Sequence, residues 1–152
     1  MRAFSIFSLL IIFMFTAMPA MAELPGAVAG SYVGWIQLHE EGKARPGDKV
    51  MFRIDLQQDG QQLQGMVTLG DREDDQTVLQ INKGQVQGSY IWLEGDELLW
   101  RMKLTGDLHG NKIQGQSLFV SQDPARKLLG AEREGKGFRH IQMKGPFEVM
   151  RR

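Results

Sequence analysis

Apolar and polar residues alternate along most of the chain after residue 30, with the period of two that is typical of strands with one buried face. Segment 49–57 shows this most clearly, because one face carries only apolar side chains: Val50, Phe52, Ile54 and Leu56. Similar patterns cover 30–38, 61–69, 77–81, 84–93, 97–108, 112–120 and 138–152. No run of 12 residues has the apolar spacing of an amphipathic helix. The pattern therefore predicts about seven to nine short strands.

Short connections separate these predicted strands. Asp59-Gly60 predicts a hairpin with a type I′ turn, and Gly110-Asn111 predicts another hairpin. Asn82-Lys83-Gly84 and Gly95-Asp96 predict two further turns. Glycines also recur inside the strands, where they mark bends of a strongly curled sheet. These features predict an all-β fold, in which a single antiparallel meander forms a small closed or nearly closed β-barrel.

One segment departs from the strand pattern. Asp123-Pro124 and Gly130 are typical start and stop signals, and they predict a helix of one or two turns within the long loop 121–137. Leu128 and Leu129 give this helix a small apolar face. We expect them to act as a lid over one end of the barrel.

Residues 1–22 have the features of a secretory signal peptide. Arg2 precedes an apolar run of about 13 residues, and the small-x-small triplet Ala20-Met21-Ala22 ends the segment. The run is well short of the ~20 apolar residues that a transmembrane helix needs. We therefore expect cleavage after Ala22 and export of a domain spanning 23–152. The destination would be the periplasm in a Gram-negative bacterium and the extracellular medium otherwise.

Composition excludes several classes of protein. The chain has 18 basic and 18 acidic residues, so its formal net charge is zero, which argues against a dedicated nucleic-acid-binding protein. It has no cysteine, which excludes a disulfide framework, a thiol nucleophile and a thiolate metal site. After cleavage of the leader, no apolar segment is long enough for stable membrane insertion.

Catalytic and metal-binding motifs are also absent from the sequence. It contains no Gly-x-Ser-x-Gly, His-Glu-x-x-His or phosphate-loop motif. His39, His109 and His140 are far apart in the chain, so they do not predict a metal site. The acidic loop 71–75 lacks the spacing of a dedicated calcium loop, although its four carboxylates leave ion binding open. We expect no catalytic residue, metal or cofactor, and hence a protein that is not an enzyme.

Aromatic residues and methionine are the most suggestive candidates for binding. Tyr90 and Trp92 share one strand face, as do Trp100 and Met102. Turned inward, these four side chains would line a cavity for an apolar ligand. The alternative is that they fill a solid core, because barrels of about eight strands lie at the boundary between hollow and filled.

The opening strand Gly30-Ser-Tyr-Val-Gly-Trp35, the apolar-x-Gly hairpins and the terminal strand Phe147-Glu-Val-Met-Arg151 resemble small exported barrels of the lipocalin and avidin kind. The resemblance is architectural and does not by itself assign a function. The leading hypothesis is a binding module for a small apolar or amphipathic ligand, held between the Trp and Met side chains and covered by the loop 121–137. An alternative is a module that binds an envelope protein through its loops, or has a structural role, with a solid core. A hydrolase or metal-dependent enzyme is a third hypothesis.

Overall fold

The structure, a computed structural model, describes residues 27–124 and 139–152. The predicted leader 1–22, most of the predicted helix, and both lid residues, Leu128 and Leu129, lie outside these ranges. Nine strands and a single 3-10 turn (Glu73–Asp75) occupy the described part of the chain. The strands are β1 (Gly30–Gln37), β2 (His39–Glu40), β3 (Lys49–Asp59), β4 (Gln62–Leu69), β5 (Thr77–Gln87), β6 (Tyr90–Asp96), β7 (Trp100–His109), β8 (Lys112–Ser121) and β9 (Gln142–Arg151).

Eight of these strands form a closed antiparallel barrel. From β3 to β9 each strand pairs with the next one in the sequence, and β1 pairs with both β3 and β9. The short strand β2 adds to the edge of β9. The predicted all-β meander and its closure into a small barrel are therefore confirmed.

The interior of the barrel is filled by one hydrophobic cluster. Every barrel strand contributes buried side chains, and these alternate with outward-facing residues. Near the centre, the rings of Phe52 and Phe147 meet edge to face, with their centroids 5.4 Å apart. An eight-stranded barrel is just wide enough for such side chains to fill it. The described strands thus enclose a packed core.

Three hairpins turn through a glycine at the first turn position. Gly60, Gly88 and Gly110 have φ of 60°, 60° and 63°, and no other residue type among those described has a positive φ. A type I′ turn needs positive φ at both central residues, whereas type II′ needs it only at the first. The type I′ turn expected at Asp59-Gly60 was therefore wrong, and all three are type II′ hairpins.

In the middle of the sheet, the observed bounds of β5 and β6 differ from the predicted strand boundaries. β5 runs continuously through Asn82-Lys83-Gly84, which was predicted to be a turn. The pairing of β5 with both neighbours shifts by one residue there, and Asn82 and Lys83 are both exposed. This is a β-bulge, in which one extra residue is accommodated without ending the strand. Gly95 likewise lies inside β6 and not in a turn.

The two ends of the barrel are built differently. At the turn end, where the three tight hairpins lie, Val28 is fully buried and its carbonyl accepts a hydrogen bond from Tyr32 Oη at 2.8 Å. Arg151 Nη2 donates to the carbonyls of Ala27 and Ala29 and to Tyr32 Oη. This segment therefore plugs the turn end. The opposite, loop end carries the connections 38–48, 70–76 and 97–99, and β8 ends and β9 begins there.

Candidate interaction surface

Exposed apolar side chains concentrate at the loop end. The described residues expose eight large apolar side chains, and five of them lie at this end: Val50, Met51, Val78, Leu98 and Leu99. Val50 and Met51 start β3, Val78 lies near the start of β5, and the two leucines form the tip of the β6–β7 turn. Scattered exposed apolar residues need no explanation, whereas a concentration of them is typical of a binding surface.

The β6–β7 turn holds its two leucines in a defined geometry. Glu97 N donates to Trp100 O at 2.9 Å, and Leu99 N donates to the Glu97 carboxylate at 3.1 Å. Gln122, which follows β8, donates its backbone N–H to Leu99 O at 2.7 Å and its side-chain amide to Glu97 O at 2.9 Å. These hydrogen bonds fix the backbone of the turn in the free protein. Binding through the two leucines would therefore cost little backbone conformational entropy.

Charged loops flank these apolar side chains. The 70–76 loop carries four carboxylates and one arginine between residues 71 and 75, and all five residues are exposed. In the 38–48 loop, Lys43 Nζ lies 2.6 Å from the Glu40 carboxylate, and Arg139 lies 3.8 Å from it. The hydrogen bond from Lys43 holds the pKa of Glu40 below its usual value. The loop end therefore combines exposed apolar groups with a local excess of acidic charge.

The four predicted ligand-binding residues are not brought together. Met102 is fully buried, and Trp100 packs partly buried against the core. Tyr90 is 45% exposed and Trp92 is half-buried on the outer wall, because Ile91 and Leu93 take the inward positions of β6. The idea of an inward cluster of these four residues is therefore wrong, because they occupy both sides of the wall.

The structure places the remaining candidates apart from one another. His39 and His140 lie at the loop end, whereas His109 lies beside the Gly110 turn at the other end. Across the two described stretches, no three His, Asp or Glu side chains are placed to hold a metal ion. The acidic loop 71–75 forms a single 3-10 turn, closed by Asp75 N donating to Arg72 O at 3.0 Å.

Sequence reasoning did not identify the Leu98-Leu99 tip. The alternating pattern predicts a strand over 97–108, which would include both leucines, whereas β7 begins only at Trp100. Two adjacent leucines are themselves a signal, since alternation can bury only one of them.

No model of a known protein family and no curated protein matches this chain. Within 27–124 and 139–152, no helical segment has the length and apolar character needed to cross a bilayer.

Proposed function

We propose that the chain is an exported, non-catalytic β-barrel module that binds another protein of the cell envelope through its loop end. The observation that carries this proposal is that five of the eight exposed large apolar side chains among the described residues lie at that end, two of them on a hydrogen-bonded turn. The leader-like segment 1–22 supports export. The absence of recognisable catalytic motifs in the sequence supports a binding role.

Packing of the described interior favours this hypothesis over an enclosed small-molecule site. Side chains from all eight barrel strands occupy the interior with exposures of 4% or less. Tyr90 and Trp92, which were expected to line a cavity, contribute to the outer wall. A small apolar or amphipathic ligand inside the barrel therefore has less support than a partner at its surface.

The chemistry of the loop end indicates what kind of partner would fit. Leu98 and Leu99 would insert into an apolar depression, where their burial would supply most of the binding free energy. The carboxylates of loop 71–75 would face basic side chains at the rim of that depression, where they would mainly raise the association rate. The expected partner thus has an apolar pocket bordered by lysine or arginine.

The test uses the chain purified from its own envelope, with mass spectrometry checking for cleavage after Ala22. A photo-crosslinking residue replaces Leu99 in one variant and Met150 in another. Both side chains are nearly half exposed, at 48% and 49%, but they lie at opposite ends of the barrel. We expect a single crosslinked protein partner from position 99 and none from position 150.

Affinity for the identified partner then measures the contribution of the turn. We expect the double variant Leu98→Asp, Leu99→Asp to weaken binding by about a hundredfold, because two buried apolar contacts are replaced by desolvated charges. Met150→Asp should leave affinity unchanged within about twofold. Crosslinking from both positions alike, or binding that survives the two aspartates, would contradict the proposal.

A further inference from the structure

An open groove runs along the outer wall between β4, β5 and β6, on the side wall and not at the loop end. It has a volume of about 470 Å³, within the usual size range of small-ligand sites. Its polar walls are formed mainly by the side chains of Asp59, Gln62, Gln64, Asn82, Lys83 and Gln85, and Trp92 closes one side. We call this feature the outer groove.

The bulge in β5 explains why the groove exists. Gln62 pairs with Gln85, and the β4–β5 pairing resumes only at Gly65 and Ile81. An extra residue bends the bulged strand and increases its local twist, so the side chains on either side diverge. On the inner side the two strands remain close, because a Cβ at Gly84 would lie 2.6 Å from the carbonyl oxygen of Leu63. The depression therefore opens outward.

Amide side chains dominate the polar lining. Each glutamine amide offers an acceptor oxygen and two donor hydrogens at one position, which matches a hydroxyl group that both donates and accepts. Gln62, Gln64 and Gln85 are exposed, and none of the three makes a side-chain hydrogen bond to another described residue. Their hydrogen-bonding capacity is thus available to a ligand in place of water.

Trp92 supplies the apolar element of the groove. It faces outward and is half-buried, flanked in the sheet by Gln85 on β5 and Thr105 on β7. The Nζ of Lys103 approaches the indole only to 6.0 Å from the ring centroid. The electron-rich face of an indole attracts weakly positive hydrogens, such as the C–H groups on one side of a pyranose ring.

Charge and strand pairing narrow the class of ligand. Asp59 and Lys83 contribute one charge of each sign, so the groove does not favour a phosphate or another anion. Both β4 and β5 are paired on each side, so a peptide has no free strand edge to extend here. A purely apolar ligand would leave the amides desolvated without partners.

We propose that the outer groove binds a neutral saccharide, with one sugar ring stacked on Trp92 and its hydroxyl groups hydrogen-bonded to the surrounding glutamines. A second open groove of about 420 Å³ is lined by residues of β5 to β8 and shares Asn82 and Lys83 with the first. The two grooves are therefore neighbours, so a ligand of several sugar units is the natural probe. This site is separate from the loop end and does not depend on the protein partner.

The test is isothermal titration calorimetry of the processed chain with three neutral tetrasaccharides: maltotetraose, cellotetraose and chitotetraose. We expect at least one of them to bind with a Kd of about 1 mM or tighter. Trp92→Ala should weaken that binding about tenfold or more, because it removes the stacking surface. Gln85→Ala should weaken it about threefold to tenfold, since it removes one hydrogen-bonding amide.

Trp35→Ala is the matched control. Trp35 is another half-buried tryptophan of the outer wall, lies on β1 away from the groove, and has Lys49 Nζ at 3.7 Å from its ring centroid. Thermal unfolding checks that both tryptophan variants remain folded. Absence of binding by all three tetrasaccharides at about 5 mM, or equal loss of affinity in the two tryptophan variants, would overturn the proposal.

Discussion

The β3–β4 and β7–β8 hairpins are built alike and yet lie in different surroundings. Residues 51–68 and 101–118 have the same strand register, with an offset of 50, and are identical at only three positions. Their pattern of buried, half-buried and exposed residues differs at a single position, where Gln62 is exposed and Lys112 is half-buried. The fold of a hairpin here depends on the placement of glycines and apolar residues, and much less on the identity of the others.

The difference between the two hairpins comes from the neighbouring strand. β8 pairs with β9 without interruption from Lys112 to Val120, and Lys112 contacts Glu148 across that boundary. β4 instead faces the bulge of β5, and the corresponding position, Gln62, lines the outer groove. A binding surface therefore arises beside one hairpin and not the other, because one neighbouring strand carries an extra residue.

The largest expected effect tests the feature that the hairpins share. Gly65 and Gly115 are equivalent, and a Cβ at either would overlap a carbonyl oxygen, of Asp55 or of Thr105. We expect Gly65→Ala and Gly115→Ala each to lower the free energy of unfolding by about 3 kcal/mol. Gly65 also has φ of 147°, so its substitution should cost more.

Urea denaturation measures these changes. Gly60→Ala is the comparison for backbone strain alone, because an added Cβ there has open space but the φ of 60° disfavours alanine. A small effect at Gly65 together with a large one at Gly115 would show that the two hairpins are not equivalent.

Two substitutions compare equivalent buried positions of the two hairpins. Ser117 occupies the position of Val67, is only 4% exposed and donates its hydroxyl to Gly145 O at 2.7 Å. We expect Val67→Ser to lower stability by about 2–3 kcal/mol, because it loses apolar burial and buries a hydroxyl. Ser117→Val should cost about 1 kcal/mol, since added apolar burial offsets the lost hydrogen bond.

Chemical denaturation of both variants tests this order. Equal losses, or a larger loss at Ser117, would mean that the environments of the two positions do not differ as described.

The smallest effect is expected at Gln62 and Lys112, the one pair of equivalent positions whose exposure differs between the two hairpins. Lys112 Nζ is 3.3 Å from the Glu148 carboxylate, and both side chains are about one-third exposed. We expect a coupling free energy of about 0.5 kcal/mol in a double-mutant cycle with Lys112→Ala and Glu148→Ala, decreasing at high salt. Gln62→Ala should change stability less than Lys112→Ala, and a larger effect at Gln62 would contradict this reading.

Most of the fold could be predicted from the sequence, because alternation is strict where only one strand face is apolar. In β3, Phe52 and Ile54 alternate with Arg53 and Asp55, and the structure buries the expected side. In β6 both faces are apolar, with Tyr90 and Trp92 on one and Ile91 and Leu93 on the other, so alternation does not decide which face is buried. The aliphatic pair lies inside.

The candidate sites were less predictable for a related reason. Asn, Lys and Gly at 82–84 resemble a turn, and only the pairing of β5 with both neighbours identifies a bulge. A one-residue shift then decides which side chains face outward. The Leu98-Leu99 tip depends on where β7 begins, and strand boundaries are the least certain part of any pattern.

The contact between Arg151 and Tyr32 has a consequence for how the chain reaches its final state. These partners are 119 residues apart in sequence, and the seam between β1 and β9 joins the earliest and latest strands described. Such distant pairing makes folding slow, since much chain must be ordered before the seam can form. The barrel therefore cannot close until β9, the last strand described, is available to pair with β1.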